Sequence, residues 1–287
     1  MYCEKCGQEI PDNAVFCGKC GTKVRNTPPE ETIAEQTTTE SRELTRKLKK
    51  RQWRMILQVF VGLVLLAAII IGCYSVIHRI RSRVVPMNEA KVGNTVIFGS
   101  FEQDNDSGNG AEPIEWIVLD KQDDQLLLLS KKILDRRNYY GSYYPVTWEE
   151  SHLRFWLNNV FYETAFTEAE QQLIQQTEVL NEDNSKYETE GGNDTNDYVF
   201  LLSIREVKEH IPFPWNRRAE ETMYAEEKDI GYSYGKRSKY ADWWLRSPGT
   251  DAKYAAYVDN YGGVYGRGHN VSNGLVGVRP ALWVSVE

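Results

Sequence analysis

Within the first twenty residues of this 287-residue chain, Cys3, Cys6, Cys17 and Cys20 form two C-x2-C pairs. Two such knuckles joined by a short segment can bring four thiolates to one point, the closed tetrahedral sulfur site that Zn2+ prefers. Gly7 and Gly21 follow the second cysteine of each pair, where a tight turn requires the positive φ that glycine tolerates. The segment repeats internally, YCEKCG and then FCGKCG. A piece this small buries too little apolar surface to fold alone and needs a metal or cross-links. Disulfides require an oxidising compartment, and the topology argued below places this end in the cytosol. The reading is a structural Zn2+ whose four cysteines leave no open position for substrate, so the segment is a docking surface for a cytosolic protein partner.

Residues Tyr2 to Val24 resemble the short zinc ribbon found at the N-terminus of many bacterial membrane proteins. Beyond it, Arg25 to Glu43 holds Pro28-Pro29 and a Thr/Glu/Gln-rich stretch, the composition of a flexible tether. Met55 to Ile77 then carries twenty-three residues without a charge, long enough for a helix across a hydrocarbon core of about 30 Å. Six basic residues precede this run and three follow it, so the positive-inside rule predicts a cytosolic N-terminus. The expected order is zinc ribbon 1–24, flexible linker and basic juxtamembrane segment 25–53, transmembrane helix 54–77, stalk 78–90 and extracytoplasmic domain 91–287. That order predicts a single-pass protein of the cell membrane.

Charge changes sign along the chain, from a net of +6 over residues 1–85 to −13 over residues 86–287. The acidic C-terminal region argues against nucleic acid, whose binding depends on neutralising phosphates. Within it, 92–101 and 114–120 read as strands around the turn-rich loop Asp104 to Gly110, and Gln125 to Ser130 reads as a buried strand. Thr147-x-x-Glu150, Thr167-x-x-Glu170 and Ser203-x-x-Glu206 read as capping boxes that open three helices. The predicted class is α+β: a ribbon, a membrane helix, and a domain with a twisted, mostly antiparallel sheet, two to three helices and long irregular loops.

The motifs EPIEWIVLD (112–120), LLLSK (127–131), FLLS (200–203), WWLRSPG (243–249) and GVRPALW (277–283) resemble an uncharacterised domain family of bacterial surface proteins. That family is similar to the sulfatase-modifying-factor and C-type-lectin-like folds, which implies a small twisted sheet carrying irregular loops. The resemblance brings no activity with it. The cysteine chemistry of formylglycine-generating relatives has no counterpart here, because no cysteine follows Cys73.

Little in the domain points to catalysis. His152, His210 and His269 match no metal-ligand spacing, and acid pairs such as Glu149-Glu150, Glu220-Glu221 and Glu226-Glu227 read as solvated faces. The Asp104 to Gly110 loop lacks the twelfth-position glutamate and the flanking helices of a calcium loop, so a hairpin explains it more simply. The segment from Arg217 to Tyr265 is richer: ten Tyr and Trp residues lie among Gly, Asn, Lys and Arg, a mixture suited to adaptable recognition. Tyr240, Trp243, Trp244, Arg246, Asp259 and Arg279 are the candidate ligand-binding residues. Against this stands the core-filling role of Trp243 and Trp244, and a role for Arg246 and Arg279 bonded to carbonyls or to acids such as Asp242 and Asp259. Tyr139, Tyr140, Tyr143 and Tyr144 form a second aromatic cluster, open to the same two readings. The leading expectation is a binding protein for a glycan, a wall fragment or a protein; a transmembrane sensor and an extracytoplasmic enzyme are the alternatives.

Overall fold

Gly7 and Gly21 adopt φ of 68° and 65°, and each donates its N–H to the carbonyl of the first cysteine of its knuckle at 2.8 Å. Two short bridges, Tyr2 with Glu9 and Phe16 with Lys23, repeat the geometry in both halves. The core of this ribbon is only Cys3, Ile10 and Cys17, with Cys6, Ala14 and Val24 packed against it. The computed structural model describes residues 1–24, 49, 51–67, 84–228 and 238–286, and the chain divides into two units, Met1–Tyr74 and Ser75–Glu287.

The predicted membrane helix is corrected. Helix α1 is described over residues 51–67, and among the described residues no helix is long and apolar enough to cross a membrane. The described part of α1 carries the charged Arg51 and Arg54 and the polar Gln52 and Gln58. Residues 68–77 of the expected span and 78–83 of the expected stalk lie outside the described residues, as do residues 25–48 and 50 of the expected linker. The single-pass topology, the cell-membrane location and the cytosolic and extracytoplasmic sides assigned to the two ends therefore fall away as conclusions.

The second unit is α+β. Its first sheet has the order β1 (Thr95–Phe101), β2 (Glu112–Gln122), β3 (Gln125–Ser130), β14 (Ala281–Ser285), β5 (Ile174–Gln175), antiparallel throughout. Leu126 to Leu129 are all buried in β3, so the LLLL run is a strand covered on both faces. The second sheet runs β12 (Val264–Asn270), β11 (Tyr254–Val258), β10 (Trp243–Pro248), β13 (Gly277–Val278), β4 (Asp135–Arg136), with one parallel contact, Trp243 to Gly277. Two small antiparallel pairs, β6 (Thr177–Val179) with β7 (Thr195–Asp197) and β8 (Ala219–Glu220) with β9 (Tyr240–Ala241), complete the described strands.

Helices are shorter and more numerous than expected: α2 (His152–Trp156), a π turn (Leu157–Phe161), α3 (Tyr162–Ala165), α4 (Glu168–Gln171), α5 (Ile204–His210), α6 (Pro214–Arg217) and α7 (Met223–Glu227). The boxes at Thr167/Glu170 and Ser203/Glu206 both close. Thr147 caps nothing. Ser151 takes that place and accepts the Arg154 N–H at 3.0 Å, while buried Trp148 is tied to Asp197 at 2.8 Å before the helix begins. Residues 84–90, expected as part of the stalk, pair with β1 through Val85 N–H to the Thr95 carbonyl, and Ala90 is buried.

Candidate functional site

Two sites are built from the sequence upward, the sulfur cluster and a cleft in the C-terminal unit. In the first, the ligand atoms of Cys3, Cys6, Cys17 and Cys20 all lie within 4.8 Å of one another. The Cys3–Cys20 and Cys6–Cys17 sulfurs are 3.7 and 3.6 Å apart, against about 3.8 Å for the edge of a tetrahedron with Zn–S bonds of about 2.3 Å. The donor set and spacing fit Zn2+. Backbone N–H groups of Cys20 and Lys19 hold the Cys17 thiol below its usual range, and the Thr22 hydroxyl and N–H draw Cys20 to about 6. Cys6 runs the other way, to about 12, against the pull of the Gln8 N–H, because the Cys20 sulfur, burial and the other sulfurs oppose its charge.

In the C-terminal unit most of the motif residues turn inward. Trp243 and Trp244 are fully buried; their indole N–H groups donate to the carbonyls of Arg217 (3.0 Å) and Arg137 (2.8 Å). Arg279 is buried beneath Trp243, 5.0 Å from its ring centre, and donates to the Ser130 carbonyl at 2.7 Å and the Arg217 carbonyl at 3.3 Å. Burial pushes this guanidinium down to about 9. Three motifs thus meet around one side chain: Ser130 from LLLSK, Trp243 from WWLRSPG and Arg279 from GVRPALW. Arg246 is also buried, bonded to the carbonyls of Leu201 (2.7 Å) and Leu180 (3.0 Å) and paired with Glu206, the capping-box acid of α5. Its acid is Glu206, not Asp242 or Asp259. Asp259 closes the turn between β11 and β12 by accepting the N–H groups of Tyr261 and Gly263.

Tyr240 alone of the six candidates lines a cleft of about 690 Å3 at the ends of β10, β13 and β4. The β8–β9 pair forms one wall, with Tyr240 in β9, Lys239 just before it and Arg218 just before β8. Asn260 and Tyr261 enter from the β11–β12 turn and Asn273 from the loop before β13. Asp242 ties the floor together: one carboxylate oxygen accepts the Asn260 N–H at 2.9 Å, the other lies 3.4 Å from His269 Nε2, and its carbonyl accepts the Gly277 N–H at 2.9 Å. A Cβ on Gly277 would sit 2.5 Å from Ile133 and 2.9 Å from that carbonyl, so this motif glycine is required for the close approach. The His269 ring stacks on Tyr257 at 3.9 Å, and Tyr257 in turn on Tyr265 at 5.3 Å. Burial, then Asp242 and the nearby Tyr265 and Asp259, push the Tyr257 hydroxyl up to about 12.

The second aromatic cluster divides. Tyr139 is buried and donates to the Arg246 carbonyl at 2.8 Å, whereas Tyr143 and Tyr144 are exposed and Tyr143 shares a hydrogen bond with Tyr254. His152 accepts the Gly141 N–H through Nδ1 and stacks near Tyr140. Glu221, expected on a solvated face, is instead paired with Arg136 at 2.5 Å, the two side chains only 2% and 8% exposed. The Asp104 loop is a β1–β2 connection in which Glu102, Asp104 and Glu112 gather within 4.8 Å. Tyr232 and Tyr234 lie outside the described residues. Sequence reasoning missed Arg136, Arg218, Lys239, His269 and Asn273 as cleft residues; the only local signal was a basic side chain next to a tyrosine at Lys239-Tyr240.

A family described as domain of unknown function (DUF6273) matches residues 123–286, and the zinc-ribbon domain family matches residues 2–24. No curated protein and no solved structure matches the chain significantly. Nothing in these matches carries the expected relation to the sulfatase-modifying-factor or C-type-lectin-like folds.

Proposed function

Since the chain belongs to the family described as domain of unknown function (DUF6273), a description that supplies no chemistry, we propose from the cleft itself that this domain is a binding module for a glycan or wall fragment. The observation that carries the reading is the cleft's make-up: Tyr240 and the 74% exposed Tyr261 stand beside Ser238, Asn260 and Asn273 in a space of about 690 Å3. Flat rings cover the apolar face of a sugar at low entropic cost, and short amide and hydroxyl side chains meet its hydroxyls. The volume falls in the range of small-ligand sites, about 300–1,000 Å3. Trp243, Trp244, Arg246 and Arg279 take no part in ligand contact; they hold the strands that present the cleft. Binding rather than turnover is the proposed role, and zinc in the ribbon is structural.

The test is a screen of the full chain against glycan and wall-fragment arrays, repeated with Tyr240→Ala. A saturable ligand is expected, weakened by about tenfold or more when the Tyr240 ring is removed, in line with the roughly 1.4 kcal/mol that a tenfold change represents. Binding that is indifferent to Tyr240 contradicts this location.

A further inference from the structure

We infer that the cleft selects a ligand bearing an oxyanion, carboxylate or phosphate, and that Arg218 is the group that recognises it. The inference rests on the cleft being the binding site. Its argument is a local reversal of charge. The C-terminal region is strongly acidic, yet the cleft lining holds three basic side chains, Arg136, Arg218 and Lys239, against two acidic ones, Glu221 and Asp242.

Most of these charges are already answered. Arg136 is paired with Glu221, Lys239 with Glu220 at 2.6 Å, and Asp242 holds the Asn260 N–H and faces His269. Arg218 differs. Its Nε donates to the Tyr261 carbonyl at 3.3 Å and its guanidinium lies 5.7 Å from the Tyr240 ring centre; among the described residues it has no carboxylate partner and its two terminal nitrogens make no hydrogen bond. A guanidinium set on an aromatic ring with its outer nitrogens unused matches the paired oxygens of a carboxylate or phosphate.

The position is also fixed from behind. The neighbouring Arg217 is buried and donates to the carbonyls of Ile211 (2.6 Å), Pro212 (2.8 Å) and Gly262 (3.4 Å), which pins the backbone from which Arg218 projects. Gly262 is needed for that approach, since a Cβ there would meet the Pro214 carbonyl at 1.8 Å. The fork is therefore presented by a held backbone beside Tyr240, the same ring that the binding reading places under a sugar.

Titration of the full chain with glucuronic acid, glucose 6-phosphate and glucose tests this. At least one anionic sugar is expected to bind about tenfold or more tightly than glucose, a preference of the size expected for a charge-assisted bond. Arg218→Gln is expected to remove that preference, so that the anionic sugars bind no more tightly than glucose does to the same variant, and Arg218→Lys to restore it only in part. The acid and the phosphate arms distinguish the two sources of the oxyanion. Equal binding of all three sugars, still lost in Tyr240→Ala, overturns the anion inference and leaves the cleft reading standing. An anion preference that survives Arg218→Gln also overturns it, and failure of all three to bind overturns both.

Discussion

Removing zinc is expected to unfold residues 2–24 completely while leaving the C-terminal unit folded. The ribbon buries only Cys3, Ile10 and Cys17, far too little apolar surface to offset the conformational entropy of ordering over twenty residues. Metal binding supplies the deficit: structural Zn2+ in small fingers contributes roughly 10–16 kcal/mol at neutral pH. Trypsin reads the outcome, because Lys5, Lys19 and Lys23 all lie in the ribbon. The full chain with one bound zinc should resist cleavage at these lysines, and treatment with a strong chelator, or Cys17→Ser, should expose all three. Protection that persists after chelation would mean that the ribbon is held by something other than metal.

The second large effect is expected at Arg246. Its guanidinium is about 1% exposed and satisfies Glu206 together with two backbone carbonyls. Arg246→Ala leaves Glu206 and both carbonyls facing an apolar hole, and breaking a buried pair in this way costs about 3–5 kcal/mol. Removing both charges with Arg246→Met and Glu206→Leu should cost less than Arg246→Ala alone, because no stranded charge remains. The pair also sets a direction in pH. Burial by itself would raise the Glu206 carboxyl, but Arg246 beside it and the Ser203 N–H outweigh this and hold it below the ordinary value. A depressed carboxyl contributes stability that is present above its unfolded value of about 4.3 and is lost as pH falls through its lower folded value. Urea melts followed by tryptophan fluorescence should therefore show a difference between wild type and Glu206→Gln that is full at pH 7 and shrinks in acid below about pH 4.3. A difference independent of pH would contradict the ion pair.

Local signals were the legible ones. The knuckles could be read because cysteine spacing and the following glycines specify a metal site within a few residues, and the Thr167 and Ser203 boxes because a cap is a contact over three residues. The Thr147 box failed for a tertiary reason: Trp148 is drawn into the core by Asp197, so the chain turns once more before Ser151 starts the helix. Hydropathy over 55–77 predicts one span, whereas among the described residues no helix is long and apolar enough to cross a membrane, and residues 68–77 lie outside them. Pattern marked Trp243, Trp244, Arg246 and Arg279 as special, and it could not show that they face inward, since buried struts and ligand contacts draw on the same residue types. The cleft was the least legible part. Arg136, Arg218, Lys239, Asn260 and Asn273 come together only because β4 and β13 share an edge of the second sheet and the β8–β9 pair lies beside them.

The most direct measurement is oxidative footprinting of the full chain with and without a glycan that binds on the array. Tyr240 and Tyr261 should be protected by the ligand, with Tyr143, Tyr144 and Tyr265, also exposed, reacting as before. Protection at Tyr143 and Tyr144, with Tyr240 and Tyr261 unchanged, would move the binding site out of the cleft and contradict the assignment.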